Sequence, residues 1–170
     1  MHVASKPRVL FRLPEFAVTV DYGQILVFVR GLPRPGLLWT PDHVAQGFAW
    51  APGIVSFGVP DHDGESLIQV KVASDIAIEP RALWAIRVPF EIPALPLQIG
   101  TVGDMAAVNV PQGSYSLVFE VLPGHTVNEP VEGFLLRLTF SADPDPDFEI
   151  LRKGGDLTTD RVLRRDAQHA

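Results

Sequence analysis

The amino-acid sequence predicts an all-β fold: a single-domain antiparallel β-sandwich of about nine or ten short strands, with one short helix near residues 40–47. Three observations lead there. Apolar and polar residues alternate with period two along most of the chain, as in strands with one buried and one wetter face. Proline accounts for 16 of 170 residues, about twice the usual share, and the prolines stand between apolar runs rather than in one block. Only in "WTPDHVAQG", residues 39–47, do helix-start and helix-stop signals bracket a segment.

The elements follow in chain order. Phe16, Val18 and Val20 point one way while Ala17, Thr19 and Asp21 point the other. "ILVFV", residues 25–29, is continuously apolar and predicts a strand covered on both faces. Thr40 is a good N-cap, Pro41 suits the first helical position, Asp42 lies at the positive end of the helix dipole, and Gly47 is a natural terminator. Trp39 and Val44 occupy the positions of a hydrophobic staple. "GIVSF" then resumes the strand pattern with Val55 and Phe57 on one face and Ser56 on the other. Further alternating sets are Ile68, Val70 and Val72; Trp84, Ile86, Val88 and Phe90; Tyr115, Leu117, Phe119 and Val121; and Phe134, Leu136, Leu138 and Phe140. Shorter pairs are Leu97 with Ile99 and Val108 with Val110. Turn signals at Tyr22-Gly23, 31–36, Asp63-Gly64, Pro111-Gln112-Gly113 and Pro123-Gly124 separate most of them. Pro89 has no N–H for a ladder, so its strand is expected to be an edge or to carry a bulge there.

Length and composition bound the rest. A chain of 170 residues suits one domain with a full core. The sandwich is expected over 1–151, followed by a charged, flexible tail over 152–170, "RKGGDLTTDRVLRRDAQHA". There is no cysteine, which excludes disulfides, thiolate metal sites and a Cys nucleophile. The first residues lack a secretory pattern and no apolar run reaches about 18 residues, so a cytoplasmic protein is expected. Fourteen basic residues against 20 acidic ones give a formal charge of −6, which disfavours nucleic acid and favours a basic protein as partner.

Catalysis is not expected. Asp42, His43 and Ser56 offer the residue types of a hydrolytic triad, but neighbours on a helix diverge by about 100° and no G-x-S-x-G elbow is present. His43 reads instead as an exposed residue of the first helical turn, and His2, His125 and His169 are scattered. Two acidic segments remain as candidate binding sites. "DPDPDFE", residues 143–149, puts Asp143, Asp145 and Asp147 two apart on a proline-stiffened extended segment, where three carboxylates form a ridge about 13 Å long. "PDHDGE", residues 60–65, places Asp61, Asp63 and Glu65 in one loop. It lacks the twelve-residue calcium loop, and no resident metal or cofactor is expected.

Trp39, Val44, Gly47-Phe48-Ala49, Gly53-Ile54-Val55-Ser56-Phe57, Val88-Pro89-Phe90 and the run from Val110 to Leu117 follow one another in an order and spacing that resembles the competence protein J family. The resemblance runs from Phe16 to Leu122 and is carried by caps, turns and core positions. It implies a non-enzymatic protein that binds and inhibits a bacterial DNA-entry nuclease, much as an immunity protein neutralises its toxin. The acidic segments are then the expected contact surface, with Asp143, Asp145 and Asp147 ahead of Asp61, Asp63 and Glu65. A calcium-dependent or carbohydrate-binding sandwich module is the alternative. Monomer and edge-paired dimer both remain open.

Overall fold

The computed structural model describes all residues except 1–8, 14, 21, 32–35, 62, 63, 95, 102, 125–132, 156 and 160, and leaves aside the side chains of 9–12. Two sheets face each other across one apolar core. The larger has the strand order β1-β6-β11-β10-β7-β12 and the smaller β4-β5-β3-β8-β9. In the larger sheet β1 (Val9–Arg12) and β2 (Phe16–Thr19) share one flank of β6 (Glu65–Ala73); β11 (Phe134–Ala142), β10 (Gly113–Pro123), β7 (Trp84–Ile92) and β12 (Glu149–Arg152) follow. The smaller comprises β4 (Phe48–Ala51), β5 (Ile54–Gly58), β3 (Gln24–Val29), β8 (Leu97–Thr101) and β9 (Asp104–Val108).

The alternation read from the sequence selects the core. Ile68, Val70 and Val72, then Leu136, Leu138 and Phe140, then Leu117, Phe119 and Val121 line the inner face of the larger sheet, and all nine are buried. Ile25, Val27, Val55, Phe57, Leu97 and Ile99 answer them from the smaller sheet. Phe57 and Phe119 stack across the gap with ring centroids 4.6 Å apart. The "ILVFV" strand is covered on both faces as expected. Ile25 and Val27 enter the main core, whereas Leu26 and Phe28 join a second cluster with Leu37, Ala49, Ala51 and Ile54 on the outer face.

The structure departs from the expected architecture in two respects. The described residues form twelve strands rather than nine or ten, because the four-residue strands β1, β4 and β12 carry no apolar-polar alternation. The pairing is also not wholly antiparallel, since β11 runs parallel to β6. Residues 74–83 carry the chain from β6 across the outer face of β11 and β10 to β7, which runs in the same direction as β6. Along it, Ser141 Oγ donates to the Ser74 carbonyl, the Glu79 N–H donates to Glu120, and Arg137 pairs with Glu79 at 3.3 Å. Pro89 behaves as predicted: β12 pairs with β7 only at Ala85 to Arg87, leaving the Pro89 flank open, and the Pro89 carbonyl accepts the Trp50 indole N–H at 2.8 Å.

Helix α1 (Pro41–Gln46) has the predicted caps. Thr40 sits in extended backbone (φ −95°, ψ 170°), Pro41 opens the helix, and Gly47 closes it in the left-handed region at φ +82°. The segment expected to form a flexible tail touches the domain at several points. Leu157 is buried in the main core, Ala167 packs on the outer cluster, and Leu37 and His169 form an antiparallel bridge.

Candidate functional site

His43 is buried, with 1% exposure, which corrects the expectation of an exposed helical residue. The capping box explains it. The Thr40 backbone N–H donates to His43 Nδ1 at 2.9 Å, and the His43 N–H donates to Thr40 Oγ1 at 3.4 Å. With Nδ1 accepting, Nε2 carries the ring proton and donates to the Asp166 carbonyl at 2.9 Å. Ser56 is also buried and its hydroxyl donates to Gln24 Oε1. Asp42 pairs with Arg161 and Arg164 on the surface. Each member of the notional triad is therefore held by other partners. This reading needed the C-terminal segment, which sequence spacing does not connect to the helix.

The acidic segment 143–149 carries the chain from β11 past β10 and β7 to β12. Its three aspartates have different surroundings. The Asp143 carboxylate accepts from Ser116 Oγ at 2.9 Å and from the Asp145 N–H at 3.0 Å. These bonds hold its pKa below the usual carboxylate value, the Asp145 N–H first and Ser116 second, against slight burial and with help from Arg87. Asp145 is exposed, and its carboxylate has no partner among the described residues. Asp147 lies 3.5 Å from Arg165, whose guanidinium stands over the Phe148 ring at 5.4 Å. Phe148 in turn packs on Phe48 and Trp50, closing the gap between the β4 and β12 edges of the two sheets. The segment is thus pinned at Phe148 and at Asp143, with Asp145 presented between them. Pro144 and Pro146 wall a cavity of about 390 Å³ together with Trp50 and Pro89. Pro52, Gly53 and Glu91 continue it into a neighbouring cavity of about 550 Å³, so a trough with Glu91 on its lining runs beside the segment.

The second acidic loop lies elsewhere. Asp63 falls outside the described residues, Glu65 is exposed at the start of β6, and Asp61 borders a third cavity of about 430 Å³ that shares no lining residue with the trough. Among the described residues, no three His, Asp or Glu side chains come together as metal ligands would. No described helix is long and apolar enough to cross a membrane.

The family profile described as competence protein J (ComJ) matches residues 17–141. A search of the curated proteins gives no match. Among solved structures, the crystal structure of ComJ from Bacillus subtilis, described as an inhibitor of the DNA-degrading activity of NucA, superposes with a TM-score of 0.68 at 16% identity, covering 82% of this chain and 100% of that one. The likeness shows a shared fold. The acidic segment begins just beyond the end of the profile match.

Proposed function

Because this chain belongs to the competence protein J family, we propose that it is a protein inhibitor that binds and neutralises a DNA-degrading nuclease, acting in the cytoplasm and doing no chemistry of its own. The observation that carries the reading is the pinned segment 143–149. A nuclease that grips DNA without reading its sequence must present cations to the phosphates. A surface that covers such a cleft gains from fixed negative charge, chiefly in the rate of encounter. Asp143 is oriented and kept ionised by its hydrogen bonds, and Asp145 is free to meet a cation. Asp147 is already neutralised in part by Arg165, so it ranks third. Asp61 and Glu65 supply a second acidic contact, with Asp63 between them in sequence.

The test is titration of the cognate nuclease with this protein while DNA degradation is followed. The wild-type protein is expected to suppress degradation at stoichiometric amounts. The variant carrying Asp143→Asn, Asp145→Asn and Asp147→Asn is expected to bind about tenfold more weakly at low salt, with a shallower salt dependence. Unchanged affinity in that variant would exclude the segment as the contact surface. Undiminished DNA degradation with saturating wild-type protein would overturn the inhibitor function itself.

A further inference from the structure

The cavity beside α1 gathers features that neither the acidic segments nor the fold accounts for. Tyr22, Leu38 and Val44 are 87%, 51% and 56% exposed, and all three line this one cleft. Large apolar side chains left in water are ordinary when scattered and informative when they converge. Tyr22 is also held at φ +61°, a left-handed conformation uncommon for a bulky residue. Trp39 and Trp84 form further walls, and their indole N–H groups are buried without an acceptor among the described residues. A buried donor with no acceptor is costly. Asp61 is the charged residue on the lining, which also carries Gln24 and the Tyr22 hydroxyl.

An apolar socket with a carboxylate on its lining describes an occupant. It needs a bulky apolar body and a positive charge beside the apolar group. We infer that this cleft is the anchor socket for the protein partner, receiving an aromatic or large aliphatic side chain from a loop that carries an adjacent Lys or Arg toward Asp61. The inference rests on the inhibitor reading and assigns the source of tight binding within it. Charges on an interface rim set encounter rates, whereas apolar side chains seated in desolvated pockets govern dissociation. The cleft volume of about 430 Å³ is within the range that takes a compact ligand or a few side chains. The net charge of −6 and Asp61 together match a basic partner.

Leu38→Asp and Val44→Glu alter exposed positions, so both variants are expected to fold, which their thermal unfolding checks. Each is expected to bind the cognate nuclease about tenfold more weakly or worse, mainly through faster dissociation. The loss should persist at high salt, unlike that of the aspartate-segment variant. Val162→Glu, at a residue 94% exposed and outside the cleft, should bind as the wild type does. In a Trp50→Phe background the remaining emission comes from Trp39 and Trp84, and it should shift when the nuclease binds. Wild-type affinity in both cleft variants, with the unaltered protein still inhibiting, would overturn the socket and leave the inhibitor function standing. Failure of the unaltered protein to bind or inhibit would remove both. A small apolar dye, anilinonaphthalene sulfonate, should be displaced by the nuclease; if it fills the cleft without disturbing nuclease affinity, the cleft is a small-molecule site and the proposal fails.

Discussion

Gln46 and Arg164 hold each other by two hydrogen bonds across 118 residues of chain: Gln46 Nε2 donates to the Arg164 carbonyl at 2.9 Å, and the Arg164 N–H donates to Gln46 Oε1 at 2.8 Å. Gln46 Nε2 also donates to the Phe48 carbonyl. A side-chain amide thus does for the C-terminal segment what a neighbouring strand does elsewhere in the sheet. His43 makes the parallel contact to Asp166 one helical turn earlier. Two buried polar side chains of α1 therefore depend on the C-terminal segment for partners.

Gln46→Leu removes three hydrogen bonds while keeping the site filled. It should destabilise the protein by about 1–3 kcal/mol, read as a lower urea midpoint at unchanged slope. Tryptic cleavage at Arg161, Arg164 and Arg165 should quicken, because the clamp that holds this stretch is gone. Wild-type cleavage kinetics in the variant would show that the segment is held by other contacts.

These contacts mark where the sequence stops being informative. The core was legible because the buried set follows period two: every residue named from Ile68 to Val72 and from Leu117 to Val121 faces inward. Thr40, Pro41 and Gly47 were legible because caps are local. His43 was not, because its burial depends on Asp166, 123 residues away. Strands β1, β4 and β12 escaped notice because VLFR, FAWA and EILR do not alternate, whereas the equally short β2 does. The acidic ridge was visible as a row of carboxylates. That Arg165 stands against Asp147 and Ser116 against Asp143 is a matter of tertiary pairing, and the apolar cleft, assembled from residues between Tyr22 and Leu157, left no local signal.

The hydrogen bonds to Asp143 should make stability depend on acid pH. Its folded-state pKa is depressed, so its contribution is present above the unfolded value of about 3.9 and is lost as pH falls through the lower folded value. Ser116→Ala removes one of the two bonds and should move the Asp143 titration up toward the ordinary carboxylate value. Carboxyl NMR chemical shifts followed from pH 6 to pH 2 measure this directly. An identical Asp143 titration with and without the Ser116 hydroxyl would discard the cause.

Gly47 closes α1 at φ +82°, and a Cβ there would lie 2.8 Å from Leu157 Cδ1 and 3.1 Å from Ile86 Cδ1. Gly47→Ala therefore combines left-handed strain of about 1–2 kcal/mol with a clash against a residue of the C-terminal segment. Gly31→Ala provides the comparison, since its φ is also positive, +104°, but nothing lies within 4 Å of its Cβ. Thermal unfolding should show the larger loss at Gly47. Equal losses at the two sites would mean that Leu157 yields freely and that the segment adds little to the core.

The stacked rings of Phe57 and Phe119 join the two sheets at the centre of the sandwich, with centroids 4.6 Å apart and planes 16° from parallel. Both side chains are fully buried, so truncation leaves a cavity that neighbouring strands, fixed by their ladders, close only in part. Phe119→Ala should cost about 3–5 kcal/mol, a large share of the roughly 5–15 kcal/mol that holds a domain together, and Phe119→Leu should cost less. The double variant at 57 and 119 should cost less than the sum of the single ones, because each ring loses its partner only once. A coupling of about 0.5–1.5 kcal/mol in urea unfolding is expected for such a pair. Strict additivity would place the sheet-to-sheet contact energy elsewhere in the core.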